Sequence, residues 1–192
     1  MPPVDSDLFQ RARDGDREAF WELILPYRGL IYSVALGMLK NHERAEDHLH
    51  EVLLAAFRSL SNLRSGAKLG GWLFSITRNQ IMDGMRKEER LRHALQGTRG
   101  QMTTVVPVTE LVEKEQWLQR LEEALQLLPE PFRVILALKY MNDYSCREIA
   151  EILDISVSAV KSRLFEARKL LRKKTDSLAA GAEKGERDHE VL

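Results

Sequence analysis

Apolar residues recur at intervals of three and four along almost the whole chain of 192 residues. This spacing places them on one side of an α-helix, whereas a strand would need strict alternation. The one short alternating run, at 103–109, is interrupted by Pro107, which cannot donate to a sheet ladder. The sequence therefore predicts an all-α protein of two small helical domains joined by a flexible linker.

The first domain is predicted to cover residues 1–92. Asp16 is a suitable N-cap for an apolar helix in which Pro26 forces a kink or a break. A helix at about 42–60 follows, then a polar loop at 61–71 and a helix at about 72–92.

The second domain is predicted to cover residues 110–175. The stretch at 93–109 loses helical periodicity and gains Gly, Thr and Pro, which is typical of a linker. Helices are expected at about 110–127 and 131–141, followed by two shorter ones. The acidic tail at 176–192 holds little apolar material, so it is predicted to be disordered.

The last two helices of this domain carry the signals of a helix-turn-helix motif. Ser145 precedes Glu148 by three residues, which is a capping box, and the short helix that follows ends near Asp154. Ser156 then offers a second N-cap. A short helix, a three-residue turn and a longer basic helix make this motif.

The longer helix combines an apolar stripe with an unusual density of positive charge. Val160, Leu164, Ala167 and Leu171 share one side, while residues 160–174 hold seven cations against one acid, Glu166. The chain as a whole balances 29 Lys and Arg against 29 Asp and Glu, so this charge is local. Such a helix can neutralise phosphates and reach base edges in the major groove of DNA. The alternative is a solvated face that happens to be basic.

Two faces of the first domain are also charged. The helix at 42–60 places Asp47 and Glu51 four residues apart, where like charges repel, so this face either awaits a cationic partner or is simply solvated. His42, Glu46 and His50 share another face, but the two histidines lie about 12 Å apart along the axis, too far to bind one ion together. The helix at 72–92 is basic, and the loop at 65–71 is polar enough to accept an extruded base.

Several functional classes are disfavoured by the sequence. No apolar run reaches the length needed to cross a bilayer and the N-terminus has no signal-peptide pattern, so we expect a cytoplasmic protein without membrane insertion. The single cysteine, Cys146, cannot form an internal disulfide and reads as a small half-buried side chain. We expect no cofactor and no catalytic activity.

Three motifs in order resemble the extracytoplasmic-function (ECF) sigma factors of bacterial RNA polymerase, which keep only conserved regions 2 and 4. The motifs are AEDHLHEVLLAAF, GWLFSITRNQIMDGMRK and the segment that begins LPEPFRVILALKYMNDYSCREIAEIL and continues through the basic helix. The resemblance covers about residues 8–174.

The resemblance implies roles for three sets of residues and three partners. The largest-subunit clamp helices of core polymerase would be bound by Asp47, His50 and Glu51. The −10 element of promoter DNA would be bound by Lys68, Arg78, Asn79, Arg86 and Lys87. The −35 element would be bound by Lys161, Ser162, Arg163, Phe165, Glu166, Arg168, Lys169 and Arg172. An anti-sigma factor is the third partner implied.

The chain departs from the family pattern at some of these positions and beside them. His48 and His50 stand where the family has Leu and Gln, and Glu166 stands where Arg is common. A carboxylate facing the groove would repel phosphates but could accept a hydrogen bond from a cytosine amino group. Two other functions fit parts of the pattern. One is a helix-turn-helix regulator that binds DNA without polymerase, and the other is a metal-dependent helical hydrolase using the His and acid cluster at 42–51.

Overall fold

The computed structural model describes residues 4–94 and 113–189. Every regular element within these ranges is helical, which confirms the predicted fold class. The α-helices are α1 Ser6–Arg13, α2 Arg17–Ile24, α3 Arg28–Leu39, α4 His42–Ser59, α5 Leu69–Ala94, α6 Glu113–Gln126, α7 Glu130–Met141, α8 Cys146–Leu153 and α9 Val157–His189. Most of the predicted linker, including the run at 103–109, lies outside the described residues.

Side-chain caps set several helix starts. The Asp16 carboxylate accepts the backbone N–H groups of Glu18 and Ala19 at 3.0 and 3.1 Å, as the sequence predicts. The bond from the Ala19 N–H, together with the Arg11 guanidinium, lowers the pKa of this carboxyl below its ordinary value. Pro26 lies in a 3-10 turn, Leu25–Tyr27, which joins α2 to α3. The predicted break is therefore confirmed.

Helix α3 lies at the centre of the first bundle and contacts α4 and α5. Leu30, Ile31, Val34 and Ala35 are completely buried on it. Its backbone ends in a left-handed residue, Lys40, at φ 58°. The loop predicted at 61–71 is shorter than expected. Two 3-10 turns, Leu60–Asn62 and Gly66–Lys68, occupy most of it, and the second leads directly into α5.

Helices α6 to α9 form the second bundle. Its core contains Ile135 and Leu138 of α7, Ile149 of α8, and Val160 and Ala167 of α9, all of them completely buried. This arrangement turns the opposite side of α9 to solvent.

The two bundles share one continuous core, because α7 packs on α3 and α8 packs on α5. The sequence predicts both bundles but gives no indication of this contact. Apolar side chains of α3, α6, α7 and α9 surround a cavity of about 390 Å³ at the junction. Leu36, Leu125, Leu136, Tyr140 and Leu171 are among its lining residues.

Helix α9 continues to His189, past Thr175, where the sequence predicts the start of a disordered tail. At Thr175 the backbone is still helical, and the side-chain hydroxyl donates to the Leu171 carbonyl one turn earlier at 3.0 Å. Beyond it, the stretch at 178–184 is rich in Ala, Leu, Glu and Lys, all of which favour helix. Local helix propensity therefore extends the element although little apolar material is available to pack.

One stretch in the described part of the chain, Arg17–Leu39, is long and apolar enough to cross a membrane by length and composition. The sequence led us to expect none. The structure breaks this stretch at the turn around Pro26, and 56% of its most apolar window is buried inside the protein. A core segment of a helical bundle has the same composition.

Candidate nucleic-acid and partner interfaces

Hydrogen bonds at α8 and α9 form the predicted helix-turn-helix. The Ser145 hydroxyl accepts the Glu148 N–H at 3.2 Å, and the Glu148 carboxylate accepts the Ser145 N–H at 2.8 Å. The capping box is thus confirmed. Asp154 ends α8 in the left-handed conformation at φ 52°, and the Ser156 hydroxyl caps α9 by accepting the Ala159 N–H at 3.1 Å.

The outer face of α9 carries a high density of exposed positive charge. Three of the four stripe residues, Val160, Leu164 and Ala167, are buried, and Leu171 is half-buried. All eight residues assigned to the −35 element are exposed: Lys161, Ser162, Arg163, Phe165, Glu166, Arg168, Lys169 and Arg172. None of their cations forms an ion pair with another residue in the described part of the chain. This face is therefore available to a polyanion.

Two residues on this face are distinguished by their surroundings. Phe165 is an aromatic ring 60% exposed beside the cations, and it lines a shallow concavity with Arg168 and Arg172. Arg168 also borders the cavity at the junction of the two bundles. It therefore lies at the boundary between the cationic face and the second bundle's contact with the first.

The residues assigned to the −10 element are divided between different sides of α5. Leu69, Leu73, Thr77 and Ile81 are buried at four-residue intervals. At 100° per residue, Asn79 and Arg86 share one exposed side of the helix, while Arg78 and Lys87 flank it on opposite sides. Lys68 is exposed at the end of the 3-10 turn before α5.

Lys87 lies with the acidic residues of α4 instead of with Asn79. It lines a groove between α4 and α5 together with Asp47, His48 and Glu51. Across the same groove, Arg44 of α4 pairs with Glu88 of α5 at 2.6 Å. Lys87 therefore lies in this groove and not on the exposed side of α5 that carries Asn79.

The acidic side of α4 is an exposed ridge beside this groove. Asp47 and Glu51 are both exposed, one turn apart, and Leu54 continues the ridge with 59% of its side chain exposed. His50 is exposed as well, but its ring nitrogen Nδ1 meets the Glu46 carbonyl at 3.0 Å and it does not line the groove. The structure thus brings Asp47 and Glu51 together and leaves His50 apart.

Sequence reasoning does not identify one residue of this ridge, Leu54, or the placement of His48 beside it. Leu54 was not selected, although an apolar residue one turn after Glu51 and outside the buried stripe Ala45, Leu49, Val52 and Ala56 is a detectable signal. His48 is largely covered by neighbouring groups, with Nδ1 3.2 Å from the Glu51 carboxylate. The two groups are close enough for an ion pair, but their angle does not make a hydrogen bond. No local pattern indicates this placement.

The metal hydrolase alternative has no geometric support in residues 4–94 and 113–189. No group of three His, Cys, Asp or Glu side chains there is arranged to hold an ion. The His42 ring instead meets the Tyr32 hydroxyl at 2.7 Å, and the His50 ring meets a backbone carbonyl.

Two family models match separate parts of the chain. Sigma-70 region 2 matches residues 23–91, which run from α2 into α5, and Sigma-70, region 4 matches residues 118–171, which run from α6 into α9. A regulator with only a helix-turn-helix would match the second of these alone.

Known proteins are similar over nearly the full length. The ECF RNA polymerase sigma factor SigW of Bacillus subtilis (strain 168) is 30% identical over 178 residues, covering 88% of this chain and 95% of SigW. The ECF RNA polymerase sigma-E factor of Escherichia coli (strain K12) is 26% identical over 184 residues, covering 91% of this chain and 96% of that protein.

Solved structures share the fold. The sigma factor RpoE in complex with the anti-sigma factor NepR from Bartonella quintana has a TM-score of 0.61 at 24% identity, covering 83% of this chain and 98% of RpoE. CnrH in complex with the cytosolic domain of CnrY has a TM-score of 0.62 at 22% identity, covering 91% of this chain and 99% of CnrH. With both conserved regions present in order and a 30% identical relative matched over 95% of its length, this chain belongs to the ECF family of RNA polymerase sigma factors, which act in transcription initiation.

Proposed function

We propose that this sigma factor uses three separate faces: the ridge of α4 binds core polymerase, the Asn79 side of α5 with the loop at 65–71 binds the −10 element, and the outer face of α9 binds the −35 element. The observation that carries the proposal is the face of α9, where five cations stand on a capped helix-turn-helix and form no ion pair within the described residues.

The outer face of α9 has the chemistry of a major-groove reader. Lys161, Arg163 and Lys169 supply positive charge along a rod that fits the groove, and Arg168 can pair with both acceptors of a guanine. Phe165 offers an apolar surface for a thymine methyl group. Glu166 is the one acid among the eight residues assigned to this face, and its best partner is the amino group of a cytosine.

The −10 assignment rests on a smaller surface. Asn79 and Arg86 project from the same side of α5, and an amide and a guanidinium can each form paired hydrogen bonds to a base edge. Arg86 currently pairs with Asp83 at 3.2 Å, an exposed contact that is worth little and is easily exchanged for a phosphate. The polar loop at 65–71 adjoins the N-terminal end of this helix.

The ridge of α4 is suited to a cationic protein surface. Its two carboxylates are exposed and one turn apart, and Leu54 adds an apolar contact. Interfaces gain specificity from charge complementarity and affinity from apolar anchors. We assign the ridge to core polymerase, with Asp47 as its main anchor and His50 at its margin.

The remaining assignments follow the family. We propose an anti-sigma factor as a further partner, since RpoE of Bartonella quintana was solved with one. Sigma factors are non-catalytic initiation factors, so catalysis would belong to the polymerase and this chain would need no cofactor. A cytoplasmic location is consistent with these partners.

Run-off transcription with purified core polymerase on genomic fragments tests the proposal directly. Core enzyme with this protein should produce discrete transcripts that core enzyme alone does not. Asp47→Ala should weaken association with core polymerase without changing the far-UV circular dichroism. Arg168→Ala should impair promoter binding while association with polymerase is retained. Full transcript yield from both variants would refute the assignment of these faces.

A further inference from the structure

The cavity surrounded by α3, α6, α7 and α9 has the size and the wall of a ligand site. Its volume of about 390 Å³ lies within the range of about 300–1,000 Å³ that small-molecule pockets span. Leu36, Leu121, Leu125 and Leu171 in its wall are only half-buried, and Tyr140 beside them is 58% exposed. The folded chain therefore leaves apolar surface here that a bound molecule would remove from water.

Helical spacing builds this wall from short rows of side chains. Leu121 and Leu125 lie one turn apart on α6, and Ala137 and Tyr140 lie three residues apart on α7, so each pair shares a face. Ala137 is half-buried and is the smallest side chain of the row on α7. A larger side chain at this position would take up space that a ligand needs.

Positive charge dominates the polar groups of the cavity. Among the described residues that line it are three cations, Lys40, Arg133 and Arg168, against one carboxylate, Glu122. Within residues 4–94 and 113–189, none of the three cations forms an ion pair. An apolar space with an excess of positive charge is complementary to a molecule that joins an apolar body to an anionic head.

Two of these cations are fixed near each other at one end of the cavity. The Lys40 ammonium donates to the Gln126 carbonyl at 2.6 Å, and the Arg133 guanidinium donates to the carbonyls of Gly37 at 2.7 Å and Leu128. Partial burial lowers the pKa of both groups, and the charge of Arg133 lowers the pKa of Lys40 further. An anion bound beside them would offset this repulsion, which the neutral carbonyls do not.

The donors that remain favour a carboxylate as the anionic head. An ammonium has three N–H groups, and Lys40 uses one of them within the described part of the chain. The two that remain match the two oxygens of a carboxylate, whereas a phosphate ester presents three acceptor oxygens. Lys40 is also exposed, so a head group can reach it from solvent.

We propose that this cavity binds a medium-chain fatty acid, whose carboxylate is held by Lys40 and Arg133 and whose alkyl chain lies among Leu125, Leu136 and Leu171. The inference does not depend on the faces assigned to promoter DNA and to core polymerase. It adds a small-molecule site to a chain whose other proposed partners are macromolecules.

Isothermal titration calorimetry of the full chain with decanoate, below the concentration at which it forms micelles, tests the site. The wild type should bind one decanoate per chain with saturable heat. Butyrate keeps the head but loses most of the chain, so it should bind at least about 100-fold more weakly. Decyltrimethylammonium keeps the chain but reverses the charge, and it should bind at least about 10-fold more weakly.

Three results of these titrations would overturn the proposal. They are the absence of saturable decanoate binding, uptake of many decanoate molecules per chain, and equal affinity for decanoate and decyltrimethylammonium. Decyl phosphate separates the two kinds of anionic head. Tighter binding of decyl phosphate than of decanoate would overturn the assignment of a fatty acid.

Two variants locate the site within the chain. Lys40→Met removes the ammonium from a side chain of similar length and should weaken decanoate binding by about 10-fold or more, with unchanged far-UV circular dichroism. The matched control is Lys139→Met, because the Lys139 ammonium also donates to a backbone carbonyl, that of Tyr144 at 3.1 Å, but does not line the cavity. This control should bind decanoate as the wild type does.

Ala137→Phe fills the cavity from α7 and should abolish decanoate binding. Wild-type affinity in Ala137→Phe, or equal affinity in Lys40→Met and Lys139→Met, would place decanoate elsewhere and overturn the proposal. Should Ala137→Phe lose helix content, the comparison of Lys40→Met with its control decides by itself.

Discussion

Replacing Lys169 by alanine tests whether the outer face of α9 neutralises phosphates. Five exposed cations on this face are assigned to the −35 element: Lys161, Arg163, Arg168, Lys169 and Arg172. Each phosphate contact contributes about 0.9 to the slope of log K against log salt concentration. Raising salt fourfold, from about 50 to 200 mM, then weakens binding by about 3.5-fold for each contact. Lys169→Ala should lose one such factor.

The assay is equilibrium binding of holoenzyme to a labelled promoter fragment across that salt range. Lys169→Ala should bind less tightly at low salt, and its slope should be shallower by about 0.9 than that of the wild type. The loss should be similar on promoter and unrelated DNA, because a phosphate contact carries no sequence information. Arg17→Ala removes an exposed cation of α2 and should leave the slope unchanged. An unaltered slope for Lys169→Ala would refute phosphate neutralisation at this position.

Three further predictions concern stability, measured by urea unfolding. Asp16→Asn keeps a capping side chain but removes a carboxylate whose pKa lies below its ordinary 3.8. The variant should therefore be less stable than the wild type at pH 7, and this loss of stability should vanish as pH falls through the folded-state pKa. A loss of stability that is constant with pH would contradict this. Leu138→Ala empties a completely buried site and should cost about 2–5 kcal/mol, whereas Leu127→Ala, at a half-exposed site, should cost less than about 0.5 kcal/mol. Ser145→Ala removes the capping box and should cost about 1 kcal/mol, while Ser145→Thr, which keeps the hydroxyl, should restore most of that loss.

Local chemistry made much of region 4 predictable from sequence. Ser145 and Ser156 cap their helices through bonds that span three residues, so no distant part of the chain is needed to define them. The stripe from Val160 to Ala167 is buried for the same reason, since helical spacing alone selects a face. The outer face of α9 consists of the residues outside this stripe, so the same spacing predicts it.

Contacts between distant parts of the chain were not predictable in this way. Gly29, Ser33 and Gly37 lie on one side of α3, and their small size becomes meaningful only because α7, about a hundred residues later in the sequence, lies against that side. The family resemblance groups Lys87 with Asn79, since both lie in the motif GWLFSITRNQIMDGMRK. In the structure Lys87 lines a groove with residues of α4, a placement that depends on tertiary packing. Burial of His48 between two helices depends on tertiary packing as well.

The left-handed backbone at Lys40 carries a conformational cost within region 2, and its long side chain extends to a neighbouring helix. Glycine would adopt that geometry without steric penalty, and it is the usual choice where a helix stops. It would also remove the Lys40 ammonium, which donates to the Gln126 carbonyl at the end of α6 at 2.6 Å. A glycine at this position should therefore make an isolated region 2 slightly sturdier and the intact two-region molecule looser. A change in unfolding free energy of opposite sign in the fragment and in the whole protein would show that the Lys40 side chain stabilises the neighbouring bundle and not its own.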